Sequence, residues 1–510
     1  MKKQNNYSIY TPEKIASSMV NDIFSEYFKN GNKKQLLDNI RICDISCGSG
    51  NLLIPAVEKL LKLSKEIYGI YEFKKEWVSG FDLDEHALIE AKLKIKLLLL
   101  QYNIDNVQLN IQKLNSLELD NVKYNIIIGN PPYLGEKNNR ELFQKIKATN
   151  FGKKYYESKM DYFYFFIEKA VELLESNGLL IYLTTNYWLR ADSGQILRNT
   201  LKENGNFLKI SIYDNSLFNN AIGQHNIIFL WKKNLSENTP IFVDIVGKQF
   251  QVSNNEIYDT YNKIVLADDI ERQFNNKIQK YSNFLLDDLV NINQGIISGY
   301  DKAFVFDKYD DKFKEYLKPF YKNKDIEKYT HKKNQFWILY LDKNINININ
   351  PKLEEYLNPF YDRLAKRREV TSQRIKWWQL QWAREQNIFE EPKILVRQRC
   401  KTNNFAYSDT KFYGSADIYF ITKKTEDINL FFILGYMNSK IFLEWFRFNG
   451  KFKGKNFEFY ATPLKETPIY YPSDQKELLF IENLVKKQIA SYDEQTQEII
   501  DNYFYAIFNI

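Results

Sequence analysis

The segment DISCGSGNLLIPAV, residues 44–57, contains the end of a predicted strand, a glycine-rich turn and the start of a predicted helix. Gly48 and Gly50 allow the backbone to bend sharply and to approach a ligand closely, and the helix offers free N–H groups in its first turn. The turn lacks the third glycine of the dinucleotide-binding fingerprint, and it lacks the Lys-Ser/Thr pair of a P-loop. Because many α/β proteins contain one such turn, the neighbouring elements must identify the ligand.

Strand and helix patterns alternate on both sides of this turn. Strands are predicted at 41–46, 77–82, 107–112, 124–129 and 179–185, and helices at 12–29, 51–67, 85–100 and 160–176. A helix over 193–205 precedes two strands, 208–214 and 225–232, which have no helix between them. This alternation predicts an α/β fold with a mainly parallel sheet covered by helices on both faces. The last two strands are predicted to form an antiparallel pair at the sheet edge.

Polar clusters follow two of these strands at their carboxyl ends, where ligands of such sheets bind. In GFDLDE (80–85), Asp82 lies about 30 residues beyond the glycine turn and suits a ribose, because a carboxylate accepts both hydroxyl protons. Asp84 stands where a helix cap belongs, and capping is its simpler interpretation. The cluster NSLE (115–118) follows the third strand and indicates nothing when taken alone.

The stretch IIIGNPPYLG, residues 126–135, ends another strand in two consecutive prolines. Pro131 and Pro132 hold the preceding residues extended and remove two hydrogen-bond donors. What remains is a rigid set of acceptors, the Asn130 side-chain oxygen and nearby carbonyls, beside the ring of Tyr133. An acceptor pair holds both protons of a planar –NH2 group, which encourages its lone pair to leave the π-system and act as a nucleophile. The corner therefore predicts an amine-binding site that needs no strong base.

The composition indicates a globular protein of two or three domains, with 510 residues, 44% hydrophobic and 26% charged residues. No apolar run approaches the roughly 20 residues of a membrane span, and the first residues lack the apolar core of a signal peptide. Three cysteines and three scattered histidines indicate neither a disulfide framework nor a metal site. We therefore expect a cytoplasmic protein without a metal.

The excess positive charge is concentrated in one window. Between Arg363 and Lys401 there are 11 Lys/Arg and 4 Asp/Glu, a net of +7, which equals the net charge of the whole chain. A charged run is often only a solvated face, but aromatic residues and glutamines are interleaved here in RLAKRREVTSQRIKWWQLQWAREQ (363–386). That mixture suits phosphate contacts combined with stacking and favours nucleic-acid binding. Glutamines of WWQLQW (377–382) suit adenine recognition, whereas Trp377 and Trp378 are equally suited to a core.

The alternation of predicted strands and helices ends after residue 240. We predict a catalytic domain over 1–240, a connector over 241–284 and a mixed α+β domain over 285–510. Short strands are expected at 302–306 and 416–422, and a helical brace over 475–508.

In their order along the chain, these motifs resemble those of the gamma-class, TaqI- and Eco57I-like N6-adenine DNA methyltransferases. The resemblance covers YTPEKIASSMV (10–20), DISCGSG, FDLD, NS and NPPY, and continues in NQGIISGYDKAFVF, PFYKNKDIEKY and PKILVRQR. It implies a class I, Rossmann-like catalytic domain with a mixed sheet, followed by a mixed α+β target-recognition domain. RRE, KWWQLQWARE and SADIYF are also similar to clostridial orphan adenine methylases.

The resemblance implies S-adenosylmethionine as cofactor. The implied cofactor-binding residues are Tyr10, Thr11, Pro12, Asp44, Cys47, Gly48, Gly50, Asp82, Asn115, Ser116 and Asn130. Asn115 stands where the family usually has Asp, although its amide oxygen can still accept from the cofactor adenine. The implied catalytic residues are Asn130, Pro131, Pro132, Tyr133 and Phe218, with the two rings on opposite faces of a flipped adenine.

The implied partner is double-stranded DNA, and we expect a monomer without membrane association. The predicted DNA-binding residues are Arg363, Lys366, Arg367, Arg368, Arg374, Lys376, Arg384, Arg397, Arg399 and Lys401. Whether a cognate restriction endonuclease acts beside the protein is open at this point.

Alternatives share parts of these motifs. Asn-Pro-Pro-Tyr also occurs in methyltransferases of RNA amines and of protein glutamine, but those enzymes are usually shorter and lack a basic, aromatic region after the catalytic domain. A fused nuclease is disfavoured because only 43 residues precede Asp44. A non-catalytic DNA-binding subunit is disfavoured because Gly48, Gly50 and the proline corner are intact.

Overall fold

The computed structural model describes residues 11–213, 225–234, 239–259, 261–347, 350–453 and 456–510. The chain divides into two compact units, Met1–Asp269 and Ile270–Ile510. The connector expected over 241–284 is divided between these units, and the functional limits at 240 and 284 remain predictions.

The first unit contains a nine-stranded sheet in the order β3-β2-β1-β4-β5-β7-β6-β8-β9. Its strands are β1 Ile42–Asp44, β2 Val78–Asp82, β3 Asn110–Lys113, β4 Tyr124–Gly129, β5 Leu174–Thr185, β6 Asn206–Tyr213, β7 Asn226–Lys232, β8 Pro240–Ile245 and β9 Lys248–Ser253.

The first five strands pair in parallel, so their carboxyl ends meet at one edge. β7 is inserted between β5 and β6 and is antiparallel to both, as expected for that pair. The prediction that this pair forms the sheet edge was wrong. β8 pairs in parallel with β6, and β9 pairs with β8, so that the residues after 240 extend the sheet by two strands.

Helices cover both faces of this sheet. They are α1 Glu13–Tyr27, α2 Lys33–Asn39, α3 Leu53–Tyr68, α4 Glu85–Gln101, α5 Arg140–Lys147, α6 Asn150–Tyr155, α7 Phe163–Leu173 and α8 Gln195–Asn204. The helix predicted over 160–176 ends at Leu173, because Leu174 already pairs with Tyr124 as the first residue of β5.

The middle strands are buried on both faces, which explains their continuous apolar sequences. In β4, Ile126 and Ile128 join the core cluster that contains residues of α1, α3 and α4, whereas Ile127 joins the cluster that contains α7. The alternation of neighbouring residues between two faces is the period of two expected of a strand.

The second unit is mixed α+β. Its sheets have the orders β10-β22, β11-β19-β15-β17, β12-β14-β13-β18 and β16-β21-β20. The strands are β10 Phe284–Leu285, β11 Val290–Gln294, β12 Val305–Phe306, β13 Leu317–Tyr321, β14 Phe336–Leu339, β15 Lys393–Arg397, β16 Arg399–Cys400, β17 Ala406–Ser408, β18 Tyr413–Gly414, β19 Ile418–Lys423, β20 Lys451–Lys453, β21 Asn456–Glu458 and β22 Pro468–Ile469.

Most helices of this unit are short. They are α9 Asp269–Tyr281, which begins at the division, α10 Leu286–Leu289, α11 Asp301–Phe304, α12 Pro351–Leu357, α13 Tyr361–Ala365, α14 Arg368–Thr371, α15 Asn387–Glu390, α16 Leu430–Met437, α17 Lys440–Asn449, α18 Ala461–Lys465, α19 Gln475–Ala490 and α20 Glu494–Ile507. The predicted helical brace consists of α19 and α20, whose buried side chains share a core cluster with α16 and α17.

None of the helices in the described ranges is both long and apolar enough to cross a membrane. Within the same ranges, no three His, Cys, Asp or Glu side chains are grouped as metal ligands.

Candidate active site

The glycine turn joins β1 to α3 at the carboxyl edge of the sheet. Gly48 has φ +49° and Gly50 has φ +82°, a left-handed region that favours glycine. A Cβ added to Gly50 would lie 3.1 Å from Cβ of Ala91. Both glycines are therefore required by the path of the backbone, as the sequence predicted.

Asp82 connects this turn to the end of β2. Its Oδ2 accepts a hydrogen bond from the Gly48 N–H at 2.8 Å, and its Oδ1 accepts from the Asp84 N–H at 2.9 Å. Asp84 in turn caps α4 by accepting from the N–H groups of His86 and Ala87, which confirms its simpler interpretation. The structure thus brings together two motifs separated by about 30 residues, and it fixes the carboxylate that faces the turn.

Asp44 and Cys47 are buried behind the turn. Asp44 accepts from the Ser46 N–H at 2.9 Å. Its burial, together with the negative charge of Asp82, raises the pKa of the Asp44 carboxyl to about 7. Cys47 packs against Gly80, where an added Cβ would lie 3.1 Å from its sulfur, and burial raises the pKa of its thiol. The Asp44 carboxyl, with its pKa of about 7, therefore changes protonation state near neutral pH. Cys47 is a neutral thiol that packs in the core.

Asn115 and Ser116 lie in the turn after β3. Asn115 Oδ1 accepts from the Leu117 N–H at 3.4 Å, and Asn115 Nδ2 donates to Glu118 Oε1 at 2.6 Å. Ser116 is buried, and its hydroxyl donates to the Ile45 carbonyl at 2.6 Å. Ser116 therefore joins this turn to the glycine turn, and Asn115 caps its own turn.

The proline corner follows β4 at the same edge. Asn130 Nδ2 donates to Thr11 Oγ1 at 3.1 Å, and Asn130 Oδ1 accepts from the Tyr133 hydroxyl at 2.7 Å. The same hydroxyl lies 3.0 Å from the Leu183 carbonyl oxygen. Two hydrogen bonds from opposite sides therefore fix the orientation of the Asn130 amide. The sequence had suggested only a ring beside this oxygen, not a hydroxyl bonded to it.

The other members of the corner are packed closely. Pro131 is buried and Pro132 is half-buried. The Tyr133 ring lies edge-on to Phe163, with centroids 5.7 Å apart. Burial raises the pKa of the Tyr133 hydroxyl, and the charge of Asp161 raises it further, so Tyr133 is a neutral hydrogen-bond donor.

Thr11 links the glycine turn to the corner. It is buried, its hydroxyl receives the bond from Asn130, and its carbonyl accepts from Asn51 Nδ2 at 3.2 Å. Pro12 is exposed and precedes the first residue of α1. Tyr10 and Phe218 lie outside the described residues.

Sequence reasoning missed Asp161, which holds the segment after the corner. Its Oδ1 accepts from the Leu134 N–H, and its Oδ2 accepts from the Tyr187 hydroxyl, each at 2.8 Å. Asp161 is 7% exposed, and burial raises the pKa of its carboxyl. One acid within the apolar run MDYFYFF (160–166) was the available signal, since a buried charge requires partners.

The ten predicted DNA-binding cations of the second unit are of two kinds. The exposed ones are Arg363, Lys366, Arg368, Arg374, Lys376, Arg399 and Lys401, and the half-buried ones are Arg367, Arg384 and Arg397. Arg399 contacts Glu458 at 2.9 Å and the Tyr460 hydroxyl. Burial therefore separates cations that the sequence presented as equivalent.

Arg367 corrects the sequence prediction. Its guanidinium donates to the carbonyl oxygens of Leu364, Ser298, Trp377 and Gln379 at 2.8–3.2 Å. Burial lowers its pKa to about 10. The side chain joins α13 to the segments around Ser298 and Trp377–Gln379, so its donors are used by the fold and not offered to phosphate. Arg384 is partly used in the same way, since it donates to the Gly295 carbonyl and to Gln294.

The aromatic and glutamine residues of WWQLQW also have mostly internal partners. Trp377 and Trp378 pack against a core cluster, Gln379 is buried, and Gln381 donates to Glu369. Trp382 is 39% exposed, with the Arg384 guanidinium 5.9 Å from its ring centroid. Of this motif, Trp382 is the side chain most available to a ligand.

These observations define a class of protein. The parallel strands with β7 inserted antiparallel, the glycine turn after β1 and the acid at the end of β2 are those of an S-adenosylmethionine-dependent methyltransferase of class I. S-adenosylmethionine is its cofactor.

Comparisons with known proteins agree with this class. Residues 74–218 match the Eco57I restriction-modification methylase, and residues 318–469 match the TaqI-like C-terminal specificity domain. Both matched segments are those of restriction-modification DNA methyltransferases, and the chain resembles the Eco57I and TaqI type in each of its two units.

Relatives cover most of the chain. The type II methyltransferase M.HindII of Haemophilus influenzae is 28% identical over 418 residues, 73% of this chain and 80% of the relative. M.BanIII of Aneurinibacillus aneurinilyticus is 25% identical over 507 residues, 84% of this chain and 83% of the relative. The type IIL restriction-modification enzyme MmeI, solved in complex with DNA, has a TM-score of 0.72 at 14% identity, covering 100% of this chain and 77% of that chain. The MmeI comparison shows a shared fold.

The close packing of the corner predicts the effect of a single methyl group. In Gly129→Ala, the new Cβ would lie 2.6 Å from Cε1 of the buried Tyr182. We expect a loss of roughly 1–3 kcal/mol in the free energy of unfolding, measured by urea denaturation. Gly135→Ala is the matched control, because its nearest atom, Asp161 Oδ2, lies 3.9 Å away. Equal losses in the two variants would contradict this account of the corner.

Proposed function

We propose that this protein transfers the methyl group of S-adenosylmethionine to N6 of an adenine in duplex DNA, and that the residues around the proline corner hold the target base. The observation that carries the proposal is the Asn130 amide, oriented by Thr11 on one side and Tyr133 on the other. Methylation of DNA is supported by the type II methyltransferase relatives; the choice of adenine rests on this amide. A cytoplasmic location remains a prediction.

The residues around the glycine turn fit the cofactor. Gly48 and Gly50 give the backbone the close approach that a bulky ligand requires, and Asp82 places a fixed carboxylate beside that turn. The buried Asp44 accepts a hydrogen bond from the Ser46 N–H, and the positively charged amino group of the methionine part would favour its ionised form. The cofactor supplies an electrophilic methyl group. In the proposal, Thr11 and Pro12 flank its methionine part, while Asn115 and Ser116 border its adenine.

The corner performs the chemistry by accepting hydrogen bonds. Asn130 Oδ1 and the Pro131 carbonyl accept the two N–H groups of the target amine, which directs its lone pair away from the ring. Pro132 keeps these acceptors from moving, because its ring restricts the backbone. The geometry is set before the base arrives, so little reorganisation is needed.

Tyr133 has two tasks in this proposal. Its hydroxyl shares one proton between Asn130 Oδ1 and the Leu183 carbonyl. When an amine donates to Asn130 Oδ1, the Tyr133 hydroxyl keeps its hydrogen bond to the Leu183 carbonyl. The buried Tyr133 hydroxyl is therefore never left without a partner. Its ring stacks on one face of the base, and Phe218 is proposed for the other face.

Extraction of the adenine from the duplex costs a few kcal/mol. Stacking of a base on an aromatic side chain is worth about 1–3 kcal/mol for each ring. Two rings therefore roughly offset the cost, which gives Tyr133 and Phe218 a joint energetic role.

DNA binding is proposed for the exposed cations of the second unit. Arg363, Lys366, Arg368, Arg374, Lys376 and Lys401 are exposed on short helices and turns that the core of this unit supports. Arg384, Arg397 and Arg399 are retained as partial contributors, and Arg367 is removed from the set. Trp382 adds an exposed ring in the same segment.

Two other substrates share this chemistry, an RNA adenine and a protein glutamine. Each presents a planar amine or amide to the same acceptors, so the corner alone does not distinguish them. The match of residues 318–469 to a specificity domain favours DNA.

The proposal is tested with purified protein, tritiated S-adenosylmethionine and duplex DNA, followed by nucleoside analysis. We expect label in N6-methyladenine. Asn130→Ala should lower turnover at least about 100-fold, because an oriented acceptor is lost, while cofactor affinity measured by calorimetry is kept. Label in cytosine, RNA or protein, with none in N6-methyladenine, would refute the proposal.

The raised pKa of Asp44 predicts a pH-dependent cofactor affinity. Bound cofactor favours the ionised carboxylate, so below a pKa of about 7 binding must also remove a proton. We expect affinity about tenfold weaker at pH 6 than at pH 8, measured by calorimetry. The Asp44→Asn variant should bind the cofactor weakly at both pH values, with no difference in affinity between them. If the variant keeps the difference, another group is responsible for it.

Substitution of the exposed arginines and substitution of the internal Arg367 should have different effects. Charge reversal of Arg368 and Arg374 together should weaken DNA binding. The slope of the logarithm of the binding constant against the logarithm of salt concentration should fall in magnitude by about two, roughly one for each lost phosphate contact. Binding is measured by fluorescence anisotropy across salt concentrations. Arg367→Met should instead lower the melting temperature, because four carbonyl oxygens lose a donor. An unchanged salt slope in the double variant would remove these residues from the interface.

A further inference from the structure

A segment with an excess of cations follows the proline corner directly. Residues 136–159 contain seven Lys/Arg and three Asp/Glu, a net of +4, and lie outside the basic window of the second unit. All seven cations are exposed. The segment includes α5 and α6, and the function proposed above gives its charges no task.

Both ends of this segment are fastened beside the corner. Leu134, the residue after the corner, donates its N–H to Asp161 at 2.8 Å, and its carbonyl accepts from the Tyr162 N–H at 3.0 Å. The Glu136 N–H donates to the Met160 carbonyl at 3.2 Å. Hydrogen bonds at its first and last residues therefore fix the segment at the corner, within the first unit.

Two of the three acids in the segment have internal partners. Glu136 accepts from the Tyr156 hydroxyl at 2.6 Å and from the Lys159 N–H at 2.5 Å. Glu157 accepts from the Ile196 N–H of α8 at 3.0 Å. Both acids are half-buried, whereas every cation is exposed. The surface of the segment is therefore more positive than its sequence indicates.

Helix α5 separates its charges between two sides. Arg140 and Lys147 are seven residues apart, so they share one side of the helix. Glu141, the one acid among the eight residues of this helix, shares another side with Lys145, four residues further on, and their charges cancel there. The net positive charge of α5 therefore lies on the side of Arg140 and Lys147.

The positive side of α5 belongs to a group of cations at the base of the segment. Lys147 Nζ lies 4.3 Å from the ring centroid of Tyr156, whose hydroxyl is bonded to Glu136. Lys137 follows Glu136 in the chain, and the N–H of Lys159 is bonded to the same carboxylate. We call four residues the corner cations: Lys137, Arg140, Lys147 and Lys159.

The corner cations keep most of their charge. Glu136 offsets one of the four, which leaves a net of +3. Lys154, elsewhere in the segment, is paired with Glu172 at 3.4 Å. Across the described residues, no carboxylate forms such an ion pair with a corner cation. Their ammonium and guanidinium groups are therefore available to an anionic ligand.

We propose that the corner cations bind phosphates of the DNA strand that carries the target adenine. The proposal rests on the proposed function, because it takes DNA as the substrate. An adenine held by Asn130 remains attached to its own strand, so that strand must pass beside the corner. Lys137 is four residues from Tyr133, a span of at most about 14 Å. One strand carries a phosphate about every 3.4 Å along the helix axis, so several phosphates lie within reach of this surface.

The contacts would hold the strand without reading it. A phosphate contact positions the duplex and carries no sequence information, whereas sequence is read at base edges. The corner cations are therefore expected to stabilise the strand at the extracted nucleotide, whichever sequence the protein recognises.

The first test measures binding of duplex DNA by fluorescence anisotropy across salt concentrations. Any sequence serves, because phosphate contacts act on every duplex. Arg140→Gln combined with Lys147→Gln should weaken binding roughly tenfold or more at about 0.1 M salt. The slope of the logarithm of the binding constant against the logarithm of salt concentration should fall in magnitude by about two. Lys137→Gln combined with Lys159→Gln should give the same result.

Lys145→Gln is the matched control for this test. Lys145 is an exposed lysine of the same helix, but it lies on the side where Glu141 cancels its charge. Its slope should equal that of the wild type, whereas Lys147→Gln alone should lower the slope by about one. An unchanged slope in both double variants, or an equal change in the control, overturns the proposal. A loss seen with duplex RNA and not with DNA would assign the surface to RNA and overturn it as well.

The second test locates the contacts on the strand. Uncharged methylphosphonate linkages are placed on both sides of the target adenine, whose position is mapped by sequencing DNA that the protein has modified. They should weaken binding of the wild type, and they should weaken binding of the Arg140/Lys147 double variant several-fold less, because the partners are already lost. Independent, additive losses would place the contacts elsewhere on the DNA and overturn the proposal.

The outcomes separate this proposal from the proposed function. The double variant should keep the cofactor affinity of the wild type in calorimetry, while its KM for DNA in the tritium assay rises roughly tenfold. Labelled N6-methyladenine together with an unchanged salt slope would keep the proposed function and reject the corner cations. A lowered slope without label in adenine would reject the proposed function, although the surface still binds phosphate.

Discussion

The hydrogen bond from the Gly48 N–H to the Asp82 carboxylate is the constraint on which the site depends. It joins the ends of two neighbouring parallel strands, and it requires a left-handed backbone at Gly48. Because the turn is tied to β2, the following helix begins at a fixed position and Asp44 is enclosed behind it. Burial, together with the charge of Asp82, raises the pKa of Asp44.

The corner after β4 is organised by the same principle of fixing polar groups in advance. Asn130 is oriented by a donor on one side and an acceptor on the other, and Asp161 fixes the segment that follows. Thr11 joins the corner to the glycine turn through Asn51. The proposed cofactor and amine sites therefore belong to one network of hydrogen bonds.

The second unit shows how burial assigns different tasks to the same residue type. Arg367 and Arg368 are adjacent in the sequence, yet the first donates to four carbonyl oxygens and the second is exposed. A guanidinium is useful for either task, because it offers five donors in a rigid plane.

The sequence by itself determined the strand–turn–helix unit, the alternation that builds the sheet and the rigid proline corner. These features depend on local constraints: glycine in left-handed backbone, proline geometry and the periods of strands and helices. Only the tertiary structure decided that β7 is inserted beside β5, that β8 and β9 continue the sheet, that the Tyr133 hydroxyl meets Asn130 and that Arg367 is internal. The strand order and the Tyr133–Asn130 hydrogen bond depend on which distant segments meet. The position of Arg367 depends on burial, and neither charge nor periodicity along the sequence shows whether one particular residue is buried.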